Sequence, residues 1–137
     1  MKLSRLERKM IEEYWIHIDD YRKKLEFRYW ELTEKKSDAE NVGGGKSSGI
    51  SDTTARKAML LAEDEQYQHY KKIVEVITSM YTELETDLKT IVDMRYWDRD
   101  GVYEWEDIAD KLYISRNKVL RLRNLLVDKT AERLGWV

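Results

Sequence analysis

Three groups of residues have the types and spacing that chemistry would need. The first is Gly45-Lys46-Ser47, which reads as the end of a phosphate-binding loop. Such a loop points backbone N–H groups at a nucleotide's phosphates, while its lysine reaches the outer ones. The pattern G-x-x-x-x-G-K-S/T then requires glycine at position 40, and the residue there is Glu40. It also requires a strand ahead of the loop, whereas Leu32 to Glu40 is charged, helical or polar sequence. A lysine among Gly43, Gly44, Gly45, Ser47, Ser48 and Gly49 has the composition of a flexible connector, and a connector is what we expect.

The second group is the carboxylates Glu104, Glu106, Asp107 and Asp110. Paired acids can act as general acid and base, and clustered ones can hold Mg²⁺. Glu106 and Asp110 stand four apart and share a helix face. No nucleophile and base accompany them, because the chain has only His17 and His69 and no cysteine. A solvated acidic face is the simpler reading. We therefore expect no catalytic residue, no metal site and no cofactor, and a protein that is not an enzyme. Trp15, Trp30, Trp97, Trp105 and Trp136 read as core and interface anchors rather than a base-stacking platform.

The third group follows directly. Residues 105–124 read WEDIADKLYISRNKVLRLRN, and this fits a helix-turn-helix. The motif needs a small residue where its two helices cross, which is Ala109. Apolar residues glue the helices together at Ile108, Leu112, Ile114, Val119 and Leu122. The turn is Tyr113-Ile114-Ser115, with Ser115 placed to cap the second helix. Its first position often carries glycine, and Tyr113 departs from that. If the apolar set faces inward, Ser115, Arg116, Asn117, Leu120, Arg121 and Asn124 face outward. Arginine and asparagine suit bidentate contacts with guanine and adenine edges in the major groove. Lys118 and Arg123 are better placed for phosphates, which supply affinity rather than sequence reading.

These residues need helices to position them. The chain of 137 residues has no proline and six glycines, with 42% hydrophobic and 38% charged residues, so long helices around a core are expected. The net charge of −2 conceals an acidic stretch over residues 98–112 followed by a basic one over 113–133. Residues 1–36 read as a long N-terminal helix. Ile11, Ile18, Leu25 and Leu32 recur every seven residues, with Tyr14 and Tyr21 between them, so the helix either packs on its own domain or pairs protomers. Residues 37–52 are a Gly/Ser linker, with Ser51-Asp52 offering a helix cap. Residues 53–81 are a middle helix with Ala58, Leu61 and Ala62 on one face and Ile73, Val76, Ile77 and Met80 on the next stripe. Residues 82–137 form the helix-turn-helix domain, opened by a capping box at Thr82 to Glu85 and a stripe of Leu88, Ile91, Val92 and Tyr96. No apolar run approaches membrane-spanning length and no signal peptide is expected, so a cytoplasmic, all-α protein is the reading.

Residues 85–136, with "MRYW", "EDIADKLYIS", "RNKVLRLRNLL" and "AERLGW", resemble promoter-reading region 4 of sigma factors. They are still more similar to the C-terminal half of phage late-gene transcription activators of the RinA/ArpU type. The segment "GGGKSSGISDTTARKAM" resembles the Gly/Ser stretch such proteins carry before their middle helix. The resemblance implies a bacteriophage or prophage regulator in a bacterial host, binding double-stranded DNA upstream of late genes, with the N-terminal helix either pairing protomers or meeting host RNA polymerase. Self-association through the N-terminal helix would let a dimer read two half-sites about 34 Å apart. The alternatives are a small terminase subunit recognising viral packaging DNA, which would form rings, and a helical protein-interaction adaptor.

Overall fold

A computed structural model describes residues 2–34 and 50–137, and the protein is all-α. Its helices are α1 (Arg5–Ile16), α2 (Ile18–Thr33), α3 (Ile50–Glu63), α4 (Glu65–Glu83), α5 (Thr86–Ile91), a π-helical turn (Val92–Trp97), α6 (Trp105–Leu112) and α7 (Arg116–Leu134). Gly45-Lys46-Ser47 and most of the expected linker lie outside the described residues.

The chain divides into two compact units, residues 1–18 with 75–137 and residues 19–74. The boundaries fall next to the α1–α2 junction and inside α4. The first unit therefore joins the start of the chain to its C-terminal half. Ile11, Trp15, Ile77, Leu88, Ile91, Val92, Ile108, Val119, Leu126 and Val127 form its core, most of them without any solvent exposure. Removing such aliphatic side chains from water stabilises a fold by about 1.5–3 kcal/mol each.

The sequence suggests one helix over residues 1–36, and the structure shows two. α1 opens with a capping box, in which Ser4 Oγ accepts from the Glu7 N–H at 3.1 Å and Glu7 Oε1 accepts from the Ser4 N–H at 2.8 Å. It ends at His17, whose N–H returns to the Glu13 carbonyl at 2.9 Å. Carbonyls in a last turn lack helical partners, and Trp97 Nε1 donates to that of Trp15 at 2.8 Å. The heptad seam is consequently divided. Ile11 and Ile18 are buried, whereas Leu25 and Leu32 are only partly covered and Trp30 is exposed.

In the second unit the expected middle helix breaks at Asp64. Asp64 Oδ2 accepts from the Tyr67 N–H at 2.7 Å, which caps α4. Its carboxylate is also gripped in bidentate fashion by Arg28, with Nη2 to Oδ1 at 2.6 Å and Nε to Oδ2 at 3.0 Å. Arg28 reaches Glu31 as well, at 3.2 Å. The hydrogen bonds from Arg28 hold the Asp64 carboxyl below its ordinary range. Around this clamp, Tyr21 packs on Tyr70 and Tyr29 on Tyr67 with ring centroids 6.1 and 6.4 Å apart. Ser51 and Asp52 sit in the first turn of α3 instead of ahead of it, where Asp52 meets the positive end of the helix dipole. Of Ala58, Leu61 and Ala62, only Leu61 is partly covered.

The capping box expected at Thr82 does not form. Thr82 lies in the last turn of α4, and its hydroxyl donates to the Ser79 carbonyl at 2.8 Å. Inside a helix a threonine hydroxyl can satisfy itself on a preceding carbonyl, so the local pattern had a competing use. Glu85 stands at the cap of α5 without a side-chain hydrogen bond. The next stripe is as expected, with Leu88, Ile91, Val92 and Tyr96 all buried. Among the described residues no helix is long and apolar enough to cross a membrane.

Candidate nucleic-acid interface

α6 and α7 meet as the sequence pattern requires. Ile108, Ala109 and Val119 are buried at the crossing, and Leu112, Ile114 and Leu122 are partly covered around it. α6 begins with the Glu104 N–H donating to Asp107 Oδ2 at 2.7 Å. It ends in a Schellman arrangement, with the Ile114 N–H on the Ala109 carbonyl at 3.1 Å and the Tyr113 N–H on the Asp110 carbonyl at 3.3 Å. That geometry places Tyr113 in the left-handed region, at φ 58° and ψ 42°. The turn thus has the conformation for which glycine is favoured, although tyrosine occupies it. The Tyr113 side chain is 95% exposed.

Ser115 caps α7, its Oγ accepting from the Lys118 N–H at 3.1 Å. The first two turns then present the expected side chains. Ser115, Arg116, Asn117, Lys118 and Arg121 are exposed, and Leu120 and Asn124 are partly covered. Among the described residues, Lys118 and Arg121 have no ion-pair partner. Arg116 differs, because its Nε donates to Glu106 Oε1 on α6.

Arg123 also differs. Its side chain is only 22% exposed and turned towards α1. The guanidinium lies 5.3 Å from the centroid of the Trp105 ring, Nε donates to Asn124 Oδ1 at 2.9 Å, and Nη1 faces Glu12 at 3.4 Å. Glu12 in turn accepts from the buried Tyr96 hydroxyl at 2.5 Å. Burial, and then the Glu12 charge, push the Tyr96 phenol well above its ordinary range. Arg95 stacks on the same indole at 4.5 Å, anchored by a 2.6 Å bond from Nη1 to the Tyr103 carbonyl. Arg123 therefore ties α7 to α1 through Glu12 and to α6 through Trp105. Sequence reasoning missed this role, because a lone acidic residue on a distant helix gives no local signal.

α1 fixes α7 from behind. Trp15 is fully buried and its Nε1 donates to Thr130 Oγ1 at 3.0 Å, while Thr130 Oγ1 donates to the Leu126 carbonyl at 2.8 Å. Arg133 grips Glu83 of α4 through two bonds, at 3.1 and 2.9 Å, and these hold the Glu83 carboxyl below its ordinary range. α7 then closes on Gly135 at φ 83°, with the Trp136 N–H on the Ala131 carbonyl at 2.9 Å.

Two carboxylates of the acidic group have structural partners. Asp107 caps α6 and Glu106 holds Arg116. Asp98 Oδ1 accepts from the N–H groups of Asp100 and Gly101, both at 3.0 Å, and shapes the turn before α6. Among the described residues no three His, Asp or Glu side chains converge as a metal ion would require.

A family model described as a protein of unknown function, DUF722, matches residues 2–132. No curated protein matches, and no solved structure matches.

Proposed function

The chain belongs to the DUF722 family, and we propose that it is a sequence-specific reader of double-stranded DNA. The carrying observation is the exposed face at the start of α7. Asn117, Lys118 and Arg121 project from a helix held by a buried crossing at Ala109 and a capped N-terminus at Ser115. In this reading the first turns of α7 enter the major groove, where Asn117 and Arg121 address base edges. Ser115 and Lys118 hold phosphates, and Arg116 joins them when it leaves Glu106. Leu120 and Asn124 border the contact. Arg123 serves by fixing the helix, since Glu12 and Trp105 occupy its guanidinium.

The finer reading, control of phage or prophage late genes with contact to RNA polymerase, is supported by the resemblance of residues 85–136 to sigma region 4 and RinA/ArpU activators. The test is selection of bound duplexes from a random pool by wild type and by Asn117→Ala/Arg121→Ala. Enrichment of one motif by wild type, lost in the variant, is the expected result. Binding without any enriched motif would replace sequence reading with backbone binding, and no binding would overturn the proposal.

A further inference from the structure

α1 carries more positive charge than its packing uses. A cavity of about 450 Å³ opens between its first turns and α7, lined by Leu3, Arg5, Arg8, Lys9, Glu12 and Arg123. Four cations thus face one carboxylate. Glu12 already accepts from Tyr96 and faces Arg123, so its charge is matched. Among the described residues Arg5 and Lys9 have no ion-pair partner.

Arg8 is the informative member. Its Nη2 meets Asp128 Oδ1 only at 3.4 Å, while its Nε is buried and has no acceptor among the described residues. An orphaned buried donor is costly, and guanidinium donors beside one another suit an oxyanion with several acceptor oxygens. Arg123 stays with Glu12, and the remaining pair at the cavity, Arg8 to Asp128, is long at 3.4 Å, so an incoming anion has little to displace.

We propose that this cavity receives a backbone phosphate of the DNA, which makes α1 a second arm of the interface. The inference rests on the DNA-reading proposal for α7. A helix seated in the major groove has a phosphate strand on either side, and elements packed against that helix meet the backbone. α1 packs against α7 through Trp15 and Thr130, and the cavity shares Arg123 with α7. Backbone contacts from α1 would set the register of α7 and carry no sequence information themselves.

The test uses the full chain and a labelled mixed-sequence duplex, titrated over a range of NaCl concentrations. Wild type is compared with Arg5→Ala/Lys9→Ala, with Lys9→Gln alone, and with Lys118→Ala/Arg121→Ala. Arg5 and Lys9 are exposed, so both α1 variants should keep the fold, as thermal unfolding would verify. The α1 double variant is expected to bind about tenfold more weakly. Its plot of log affinity against log salt should be shallower by about two, and that of Lys9→Gln by about one. If the α7 variant weakens binding while the α1 variants match wild type in affinity and slope, this inference falls and the α7 reading stands. If wild type does not bind the duplex, both fall.

Discussion

The indole N–H of Trp15 meets the hydroxyl of Thr130 at 3.0 Å in a fully buried setting, 115 residues apart in the chain. This contact makes the start of the chain part of the C-terminal unit. It predicts that Thr130→Val, which keeps the volume and removes the acceptor, destabilises the fold by about 1–3 kcal/mol. Trp15→Ala should cost about 3–5 kcal/mol. Chemical denaturation would measure both, and Thr130→Val in a Trp15→Phe background should cost much less. Equal costs in the two backgrounds would remove the hydrogen bond as the cause.

Tyr113 provides a prediction of the opposite sign. A non-glycine residue in the left-handed region carries about 1–2 kcal/mol of backbone strain, and glycine gives back part of that relief through the entropy of its unfolded state. Tyr113→Gly should therefore stabilise by about 0.5–1 kcal/mol and raise Tm by a few degrees. Gly135 is the internal control. It has the same type of cap at φ 83°, with nothing within 4 Å of an added Cβ. Gly135→Ala should destabilise by about 1 kcal/mol through backbone strain alone. An unchanged or lowered Tm in Tyr113→Gly would show that the side chain contributes something the turn does not reveal.

Asp64 yields a pH dependence. Its folded pKa is depressed by Arg28, so its stabilising contribution is fully present above the ordinary carboxylate value near 3.8 and fades as pH falls through the lower folded value. Wild type should lose this contribution in acid below about pH 4. Asp64→Asn should be less stable at neutral pH and lack that part of the acid loss. Asp64→Ala should in addition forfeit the α4 cap, at about 1 kcal/mol. Thermal unfolding from neutral pH into acid would show it, and parallel curves for wild type and Asp64→Asn would contradict it.

Glu106 restrains Arg116 at the proposed interface. Releasing an exposed ion pair is a small effect, but it acts directly on DNA affinity. Glu106→Gln is expected to bind a mixed-sequence duplex about two- to fivefold more tightly, with the gain fading at high salt. Unchanged or weaker binding would place Arg116 outside the contact.

Much of the C-terminal architecture was legible in the sequence because its determinants are local. Ala109 at the crossing, the apolar set around it and Ser115 at the cap lie within twenty residues and admit one arrangement. Tyr113 departs from the usual glycine, and the backbone adopts the glycine geometry regardless, because the packing of α6 on α7 outweighs a strain of about 1–2 kcal/mol. The N-terminal helix was less legible. A seam of Ile11, Tyr14 and Ile18 describes a buried stripe without naming what covers it, and only the fold brings Trp15 to Thr130. The break at Asp64 was hidden because an acidic residue amid Glu63 and Glu65 reads as helix surface. Its carboxylate also serves Arg28, which is remote in sequence. The exposure of Asn117, Lys118 and Arg121 on α7 was legible. The partial burial of Arg123 was not, since charge alone does not reveal that Glu12 waits on another helix.

The union of α1 with α7 also bears on how the chain is made. A ribosome releases Ile11, Trp15 and Ile18 long before it has synthesised Leu126 and Thr130. During that interval α1 has none of its α7 partners, and its apolar stripe is a site for chaperones or for premature association between nascent chains. The unit completes itself only when α7 emerges. A message truncated ahead of α7 would therefore yield a chain that has lost the cover for its first helix as well as its last, and cellular quality control should clear it quickly.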